Sequence, residues 1–334
     1  MSDGYTVTQD GGQYLLVDAA HHASAAVLPE QGNNVTHLRV QPQGRDVPID
    51  VILPPRELEG FGASGYGAGV PILFPFPNRV RGGRYTFQGR AYEMDINETA
   101  RGNHIHGLVA RLPWQTEGTG AGDDEGAWHR AVIDLSQFPE AMRQYPFPCL
   151  VRVISRLKDG ALIQETTVTN TGQTALPMGY GIHPWFPAVI DGAPRETTQV
   201  RVPAGGYWEL ENLVPTGRVL AVGESEKFDL REWRPLDGHD FDDVFTQVMR
   251  RPDGWIEAGI RYPNVGYEVA VEASPEFREW VLYAPTTRRV ICLEPYTGTT
   301  NAVNLQNEVV DAGLVVLAPG DSWTGEIRIS LRGA

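Results

Sequence analysis

The chain has 334 residues and a formal net charge of -14, from 42 acidic and 28 basic side chains. A surface this acidic repels phosphate backbones and anionic lipids, which argues against nucleic acid and membrane partners. The two isolated cysteines, Cys149 and Cys292, form neither a disulfide framework nor a zinc pattern. Since the sequence also lacks an apolar leader and any run of about 18 apolar residues, we expect a soluble cytoplasmic protein.

Alternating apolar and polar residues predict β-strands along most of the chain, because this period of two puts every second side chain on the same face. The predicted strands include 13–18, 34–40, 84–88, 91–96, 128–135, 149–157, 161–169, 267–272 and 323–331. Turns are predicted at Gly82-Gly83 and Gln88-Gly89, and the glycine-rich segment 118–126 is predicted to be a flexible hairpin loop. Helices are expected only at 139–145 and 226–233.

The number of short strands and turns determines the expected fold class. With 37 glycines and 25 prolines to turn the chain, the pattern indicates an all-β protein, a large antiparallel sandwich or barrel. No internal repeat and no long linker divides the sequence. We therefore expect residues 1–334 to form a single domain with a core large enough to need no disulfide.

The segment 103–107, Asn-His-Ile-His-Gly, places His104 and His106 two residues apart. On a strand both rings would face one side, where they could line one cleft or bind one metal ion. A cupin-type metal site would need a carboxylate shortly after the second histidine, but Ala110 and Arg111 stand there. We therefore expect no metal. Alternatively, either histidine only satisfies hydrogen bonds in the core.

The segment 181–186, Gly-Ile-His-Pro-Trp-Phe, contains a third histidine. Glycine and proline around His183 predict a turn or strand end, where a side chain is presented to a pocket. The aromatic face of Trp185 suits the apolar face of a pyranose sugar. A purely structural role is the alternative for His183.

A carboxylate ends the apolar run 290–294. Glu294 must either reach solvent or be held in a site that shifts its pKa. Because histidine also exchanges protons near neutral pH, Glu294 and His183 together suggest acid/base chemistry.

Two further charged residues are candidates for binding a sugar. Arg79 follows a proline- and aromatic-rich segment, and its fixed fork of donors could bracket sugar hydroxyls; otherwise it is a surface arginine, as Arg81 and Arg84 are expected to be. Asp242 is expected in a loop, where an acidic side chain is usually only solvated.

In this order the motifs resemble the aldose 1-epimerase (galactose mutarotase-like) family. They are Asn78-Arg79, Gly83-Arg84-Tyr85, segment 103–107, His183-Pro184-Trp185-Phe186, Asp242-Asp243-Val244-Phe245, and Cys292-Leu293-Glu294 with Ala302 and Asn304. The resemblance spans roughly residues 25–331. Two departures, Gly107-Leu108 in place of a second glycine and Pro295-Tyr296 in place of a Thr-Gln pair, leave the preferred sugar open.

The resemblance implies a supersandwich fold with a sugar cleft across its concave sheet. It makes Glu294 the general base and His183 the general acid, and it gives the sugar-binding positions to Arg79, His106 and Asp242, with Asn78, His104 and Trp185 beside them. The implied protein takes a small-molecule sugar as its partner and uses neither metal nor cofactor. It is expected to be a monomer or homodimer.

The implied reaction interconverts the α and β anomers of a free aldohexose. A base takes the C1 hydroxyl proton while an acid protonates the ring oxygen, and a pair on opposite sides of the sugar would suffice. Three alternatives stay open. A hexose-phosphate 1-epimerase would need a basic pocket from Arg79, Arg81 and Arg84; a glycoside hydrolase would need two carboxylates across the cleft; a carbohydrate-binding protein would keep the cleft without turnover.

Overall fold

The structure, a computed structural model, describes residues 4–55, 66–306 and 310–333. Within these ranges the α-helices are short, α1 (Pro139–Gln144) and α2 (Ala302–Leu305). The described part of the chain contains no helix long and apolar enough to cross a membrane. The remaining regular structure is almost entirely β-strand.

The strands of the first half of the chain are β1 (Tyr5–Asp10), β2 (Gln13–Asp18), β3 (Ala23–Leu28), β4 (Asn34–Val40), β5 (Ile49–Ile52), β6 (Ile72–Leu73), β7 (Arg79–Val80), β8 (Arg84–Phe87), β9 (Arg90–Glu93), β10 (His104–Ile105), β11 (Gln115–Gly122), β12 (Gly126–Asp134), β13 (Cys149–Lys158) and β14 (Ala161–Asn170). Those of the second half are β15 (Leu176–Met178), β16 (Gly181–Ile182), β17 (Trp185–Pro187), β18 (Gln199–Arg201), β19 (Ala204–Glu211), β20 (Val214–Ala221), β21 (Arg234–Pro235), β22 (Phe241–Val248), β23 (Ile256–Tyr262), β24 (Tyr267–Ala273), β25 (Glu279–Ala284), β26 (Val290–Tyr296), β27 (Val315–Leu317) and β28 (Ser322–Gly333).

Two large antiparallel sheets dominate the fold. One has nine strands in the order β11-β12-β13-β14-β28-β24-β23-β18-β21. The other has eight strands, in the order β20-β19-β22-β25-β26-β16-β6 with β17 also paired to β26. The first five strands form a third sheet in sequential order, and three small pairs complete the structure: β7 with β10, β8 with β9, and β15 with β27. This architecture confirms the expected large all-β antiparallel sandwich.

The two large sheets differ in how deeply their strands are buried. In the nine-stranded sheet, β13 and β14 alternate between buried and half-exposed residues, as the period-two sequence pattern requires. In the eight-stranded sheet every residue of β26 is buried. A strand covered on both faces reads as a continuous apolar run, and any polar side chain on it has to be accommodated inside the protein.

Two small apolar clusters cover β26 on either side of Glu294. One joins Leu53, Ala68, Trp185, Val290 and Cys292, with Tyr283 packed against it. The other joins Leu73, Trp208, Val244, Val281 and Tyr296. Since residues two apart on a strand share a face, Cys292, Glu294 and Tyr296 lie on one side of β26. Glu294 therefore emerges between two patches of apolar packing.

Several predicted elements are confirmed and two are wrong. Helix α1 confirms the helix predicted at 139–145, but 226–233 is not helical. The backbone carbonyl of Leu230 accepts a 2.8 Å hydrogen bond from the backbone N–H of Val202, and the Phe228 ring stacks on Tyr207 at 3.8 Å. These tertiary contacts keep the segment in a non-helical conformation. The predicted loop 118–126 is largely strand β11. Its Gly120 accommodates the ring of Trp128, which would lie 2.7 Å from an added Cβ.

Candidate active site

A cleft of ≈ 210 Å³ opens over β26. It brings together seven of the eight site residues predicted from the sequence, and its full lining is Tyr66, Asn78, Arg79, Ile105, His106, His183, Trp185, Asp242, Tyr283, Arg288 and Glu294. A larger cavity of ≈ 690 Å³ lies beside it but shares only Arg288 with the cleft. The polar groups that could carry out chemistry converge in the smaller cavity, and we take that cavity as the candidate site.

Glu294 is 1% exposed and is contacted by two polar side chains. His183 lies against one carboxylate oxygen, with Nε2 3.4 Å from Oε1. The Tyr296 hydroxyl donates a hydrogen bond to the other oxygen, Oε2. Burial raises the pKa of Tyr296 well above its usual range, and the neighbouring Asn78 acts in the opposite direction. Both carboxylate oxygens are thus held in fixed positions.

His183 is placed by the turn between β16 and β17, as the flanking glycine and proline predict. Its backbone N–H donates to the Pro71 carbonyl over 3.0 Å. Its ring stacks on Trp185, with centroids 4.9 Å apart and an angle of 15° between the planes. The indole of Trp185 is itself fixed by a 2.9 Å hydrogen bond from Nε1 to the Tyr66 carbonyl. These contacts leave Nε2 directed at Glu294.

His106 reaches the cleft through an unusual backbone conformation. Its φ is +66°, in the left-handed region, and Gly107 follows with φ +69°. The backbone N–H of His106 donates to the Asn78 carbonyl over 2.9 Å. Its ring lies edge-on to His183 at 5.1 Å, and its Nδ1 has no hydrogen-bond partner among the residues that the structure describes. That buried nitrogen is a candidate hydrogen-bonding group for a ligand in the cleft.

His104 and His106 both line a cavity of ≈ 210 Å³ next to the candidate cleft, but only His106 lines the candidate cleft itself. Strand β10 ends at Ile105, and the left-handed turn that follows breaks the alternation that would have put both rings on one face. The His104 ring nitrogens lie 2.8 Å and 3.1 Å from the carbonyl oxygens of Asp95 and Gly107. Both ring nitrogens of His104 are thus engaged by backbone carbonyls outside the candidate cleft.

Arg79 lines the cleft, but much of its guanidinium is engaged within the protein. Nε and Nη2 donate to the carboxylate of Glu98 over 3.0 to 3.2 Å, and Nη1 donates to Oδ1 of Asn78 over 3.2 Å. Burial would raise the pKa of Glu98, but the hydrogen bonds and charge of Arg79 outweigh it and lower that pKa. Arg79 is therefore neither a surface arginine nor a free fork of donors.

Asp242 belongs to strand β22, and the expected loop position is wrong. It faces Tyr283 across the β22–β25 pairing, and its carboxylate lies 3.8 Å from Nη2 of Arg79. Burial raises the pKa of Asp242, against the opposing effect of Arg79. Its side chain is still 31% exposed, which places it where the cleft meets solvent.

Four residues of the site were not predicted from the sequence: Tyr66, Tyr283 and Arg288, which line the cleft, and Tyr296, which contacts Glu294. Arg288 lies over the Trp185 ring at 5.1 Å, at the exposed side of the cleft. Only Tyr296 carried a usable sequence signal, since it shares the period-two face of Glu294. The others come from segments whose proximity is decided by tertiary structure.

Burial opposes charge on both members of the Glu294–His183 pair. It raises the pKa of Glu294 well above its usual range, where the Tyr296 hydrogen bond acts in the opposite direction and the nearby Asp242 in the same one. It lowers the pKa of His183 to about 3, and Arg288 adds to that effect. Both directions favour a neutral carboxylic acid beside a neutral imidazole. Moving one proton across the contact converts this pair to carboxylate and imidazolium.

Known proteins resemble this chain over nearly its whole length. The family model described as aldose 1-epimerase matches residues 14–330. The Escherichia coli (strain K12) protein YphB, described as uncharacterized, is 26% identical over 77% of this chain and 81% of its own length. Rat galactose mutarotase is 29% identical over 62% of this chain and 58% of its own length. The match thus spans less than two thirds of the rat enzyme.

A solved structure supports the fold. A galactose mutarotase-like protein from Clostridium acetobutylicum superposes with a TM-score of 0.86 over 99% of this chain and 98% of its own, at 23% sequence identity. At that identity the likeness is evidence for the architecture alone.

Proposed function

Since the chain belongs to the aldose 1-epimerase family, we propose that it interconverts the α and β anomers of a free aldohexose. The observation that carries this proposal is the contact between Glu294 and His183 inside a polar cleft, with Nε2 and Oε1 3.4 Å apart. The family supports an isomerase; the substrate and the residue roles are our proposal.

In the proposed reaction the carboxylate of Glu294 takes the proton of the C1 hydroxyl. The C1–O5 bond breaks as the imidazolium of His183 gives its proton to the ring oxygen O5, and the open-chain aldehyde results. Rotation about C1–C2 exposes the other face of the aldehyde. Closure then reverses both proton transfers, so neither residue is consumed. Each transfer partner is expected to contribute on the order of 10² to 10⁴ in rate.

Glu294 and His183 lie side by side, with Oε1 and Nε2 3.4 Å apart, so we propose that both groups approach the sugar from one side. The C1 hydroxyl oxygen and the ring oxygen are bonded to the same carbon, so a side-by-side pair can reach both at once. The neighbouring groups support binding. Arg79, Asp242 and the free nitrogen of His106 offer donors and acceptors to ring hydroxyls, and Trp185 adds an aromatic surface.

Within the part of the chain that the structure describes, Arg79, Arg81 and Arg84 do not converge on the cleft as a basic pocket for a hexose phosphate, and Arg288 is the one further arginine in its lining. Arg79 is neutralised by Glu98. Arg84 pairs with Glu93, and both Arg81 and Arg84 line a separate cavity. We therefore favour an uncharged sugar.

Polarimetry of freshly dissolved α-anomers tests the proposal. Purified protein should accelerate mutarotation of at least one hexose in a panel that includes glucose, galactose and glucose 6-phosphate, and it should act less well on the phosphate. Glu294→Gln, purified in the same way, controls for contaminating mutarotases. The proposal fails if no aldohexose responds, or if the wild type and Glu294→Gln give equal rates.

A further inference from the structure

Cys292 lies next to the acid/base pair and has no part in the proposed reaction. It is fully buried and shares one face of β26 with Glu294, two residues further on. Its strand neighbours are Trp185 on one side and Tyr283 on the other, and both line the cleft. A thiol therefore lies against the wall of the candidate active site.

The positions of three ligand-type atoms suggest what this thiol could do. Nε2 or Nδ1 of His183, Sγ of Cys292 and a carboxylate oxygen of Glu294 all lie within 4.8 Å of one another. An imidazole, a thiolate and a carboxylate are the three kinds of protein ligand that zinc takes, and three protein ligands with an open fourth position form a common zinc arrangement.

We propose that His183, Cys292 and Glu294 form a binding site for a thiophilic divalent metal ion such as Zn²⁺, and that the bound ion blocks the sugar cleft. The ion would be an inhibitor and not a cofactor, because it would occupy both proton-transfer groups.

The geometry needs little rearrangement. Zinc bonds of about 2.0–2.3 Å in a tetrahedron hold neighbouring ligand atoms roughly 3.3–3.7 Å apart. The His183–Glu294 contact is 3.4 Å, and the remaining separations of at most 4.8 Å require shifts of about 1 Å. The thiol proton and the proton held by the pair would leave to solvent on coordination.

The ligand set also determines selectivity. A thiolate favours Zn²⁺, Co²⁺ and Cu⁺ over Mg²⁺ and Ca²⁺, which prefer oxygen ligands. Magnesium at cellular concentrations should therefore leave the site free. Metal binding is independent of the proposed function, whereas competition between metal and sugar rests on it.

Cobalt titration of the full chain tests the site directly. Co²⁺ bound to a thiolate gives a near-ultraviolet charge-transfer band, so the wild type should develop that band with one ion per chain. Cys292→Ser should lose it, and affinity should fall by more than the roughly 10–100-fold that loss of an outer-shell partner costs. Cys149→Ser is the matched control, because the only other cysteine is also buried but lies on β13 in the other large sheet.

Zinc inhibition provides the second readout. Added Zn²⁺ should slow mutarotation competitively with sugar, a chelator should restore the rate, and Cys292→Ser should keep mutarotase activity while becoming resistant to zinc. Circular dichroism establishes that each variant is folded. If Cys292→Ser does not fold, loss of the cobalt band in Glu294→Gln tests the same site.

The site is disproved if the wild type binds no Co²⁺ or if the band persists in Cys292→Ser. Metal binding without inhibition would overturn the blocking of the cleft. If no sugar responds but the band forms at Cys292, the proposed function fails and the metal site stands.

Discussion

Glu294 and His183 are close enough to exchange a proton directly, with 3.4 Å between Nε2 and Oε1. Both residues are buried, so hydration adds little to the stability of either the neutral pair or the carboxylate–imidazolium pair. A sugar hydroxyl that hydrogen-bonds the carboxylate would stabilise the charged form that the reaction needs. The two residues therefore have to be considered as one functional unit.

Substitutions at Glu294 and His183 test whether the two residues act together. Glu294→Gln keeps the shape of the side chain and removes the proposed base, so kcat should fall by about 10² or more with little change in sugar affinity. His183→Asn should act similarly. Because both serve one ring opening, the double variant should lose far less than the product of the single losses. Mutarotation kinetics measure all three, and multiplicative losses would contradict the shared step.

We expect Arg79 to stabilise the fold as well as to bind the sugar. Arg79→Ala should weaken sugar affinity, since it removes donors from the cleft. It should also lower the free energy of unfolding by on the order of 3 kcal/mol, because it leaves Glu98 largely buried without its main partner. Denaturant unfolding and Michaelis kinetics measure the two effects.

The control for Arg79 is the double variant Arg79→Ala/Glu98→Gln. It should recover part of the stability because no carboxylate is left unpaired, but it should not recover the affinity. Equal stability of the single and double variants would show that the ion pair does not matter for folding.

Some of the candidate site residues could be predicted from the sequence alone. Glu294 stood out as a charge ending an apolar run, and His183 as a histidine between glycine and proline. The engagement of Arg79 by Glu98 could not be predicted, since it depends on how a separate segment folds back. Tyr296 was overlooked because a tyrosine on a buried strand is normally core.

The position of His106 at the cleft depends on the backbone conformation of the residues after β10 more than on side-chain contacts. Gly107 has φ +69°, and a Cβ there would lie 2.1 Å from the Phe74 carbonyl oxygen. Leu108 N–H donates to that same oxygen over 2.7 Å. The close approach of two backbones holds His106 at the cleft.

Gly107→Ala should therefore lower both the melting temperature and the turnover. The matched control is Gly102→Ala, which has nearly the same φ of +68° but open space around the added Cβ. In the control variant the free energy of unfolding should fall by only roughly 1–2 kcal/mol, which is the cost of a non-glycine residue in the left-handed conformation. Thermal unfolding and mutarotation should separate the two variants, and equal losses would contradict a steric role for the Phe74 contact.

At the level of elements, the strict period-two segments were the most predictable. The bounds of β2 and β4 are those expected at 13–18 and 34–40, because one buried face fixes the pattern. The segments 118–126 and 226–233 were mispredicted since their local composition is overridden by contacts with distant residues. The left-handed turn at His106 was not predicted, because the residue types at positions 105 and 106 do not by themselves indicate such a turn.

A second buried carboxylate lies in the sheet that forms the cleft. Glu279 is opposite Tyr296 in the β25–β26 pairing and is fully buried. It accepts hydrogen bonds from Trp208 over 2.9 Å and from Thr246 over 3.0 Å. Burial raises its pKa to about 8, although these bonds and Arg278, 3.4 Å away, act in the opposite direction.

This group should make the stability of the whole molecule depend on pH. Because the folded pKa of about 8 exceeds the ordinary value of 4.5, the folded state holds the proton longer than the unfolded chain. The stabilisation is complete below pH 4.5, declines as pH rises and is gone above about pH 8. Glu279→Gln should remove this decline.

Denaturant unfolding of wild type and Glu279→Gln from pH 5 to pH 8.5 measures the difference, in which the contributions of all other groups cancel. A constant difference across that range would mean that Glu279 stays ionised beside Arg278 in the folded protein.

The cleft is assembled from strands that are distant in the chain: β6 pairs with β16, which pairs with β26. Such long-range pairing is slow to form, because the loops between the strands have to close first. On a ribosome, no fragment that stops before Tyr296 can contain the acid/base pair with its hydroxyl partner, however much of the five-stranded sheet has already formed. The proposed mutarotase activity, measured on chains released at different lengths, would therefore report whether this strand has been synthesised and inserted into its sheet.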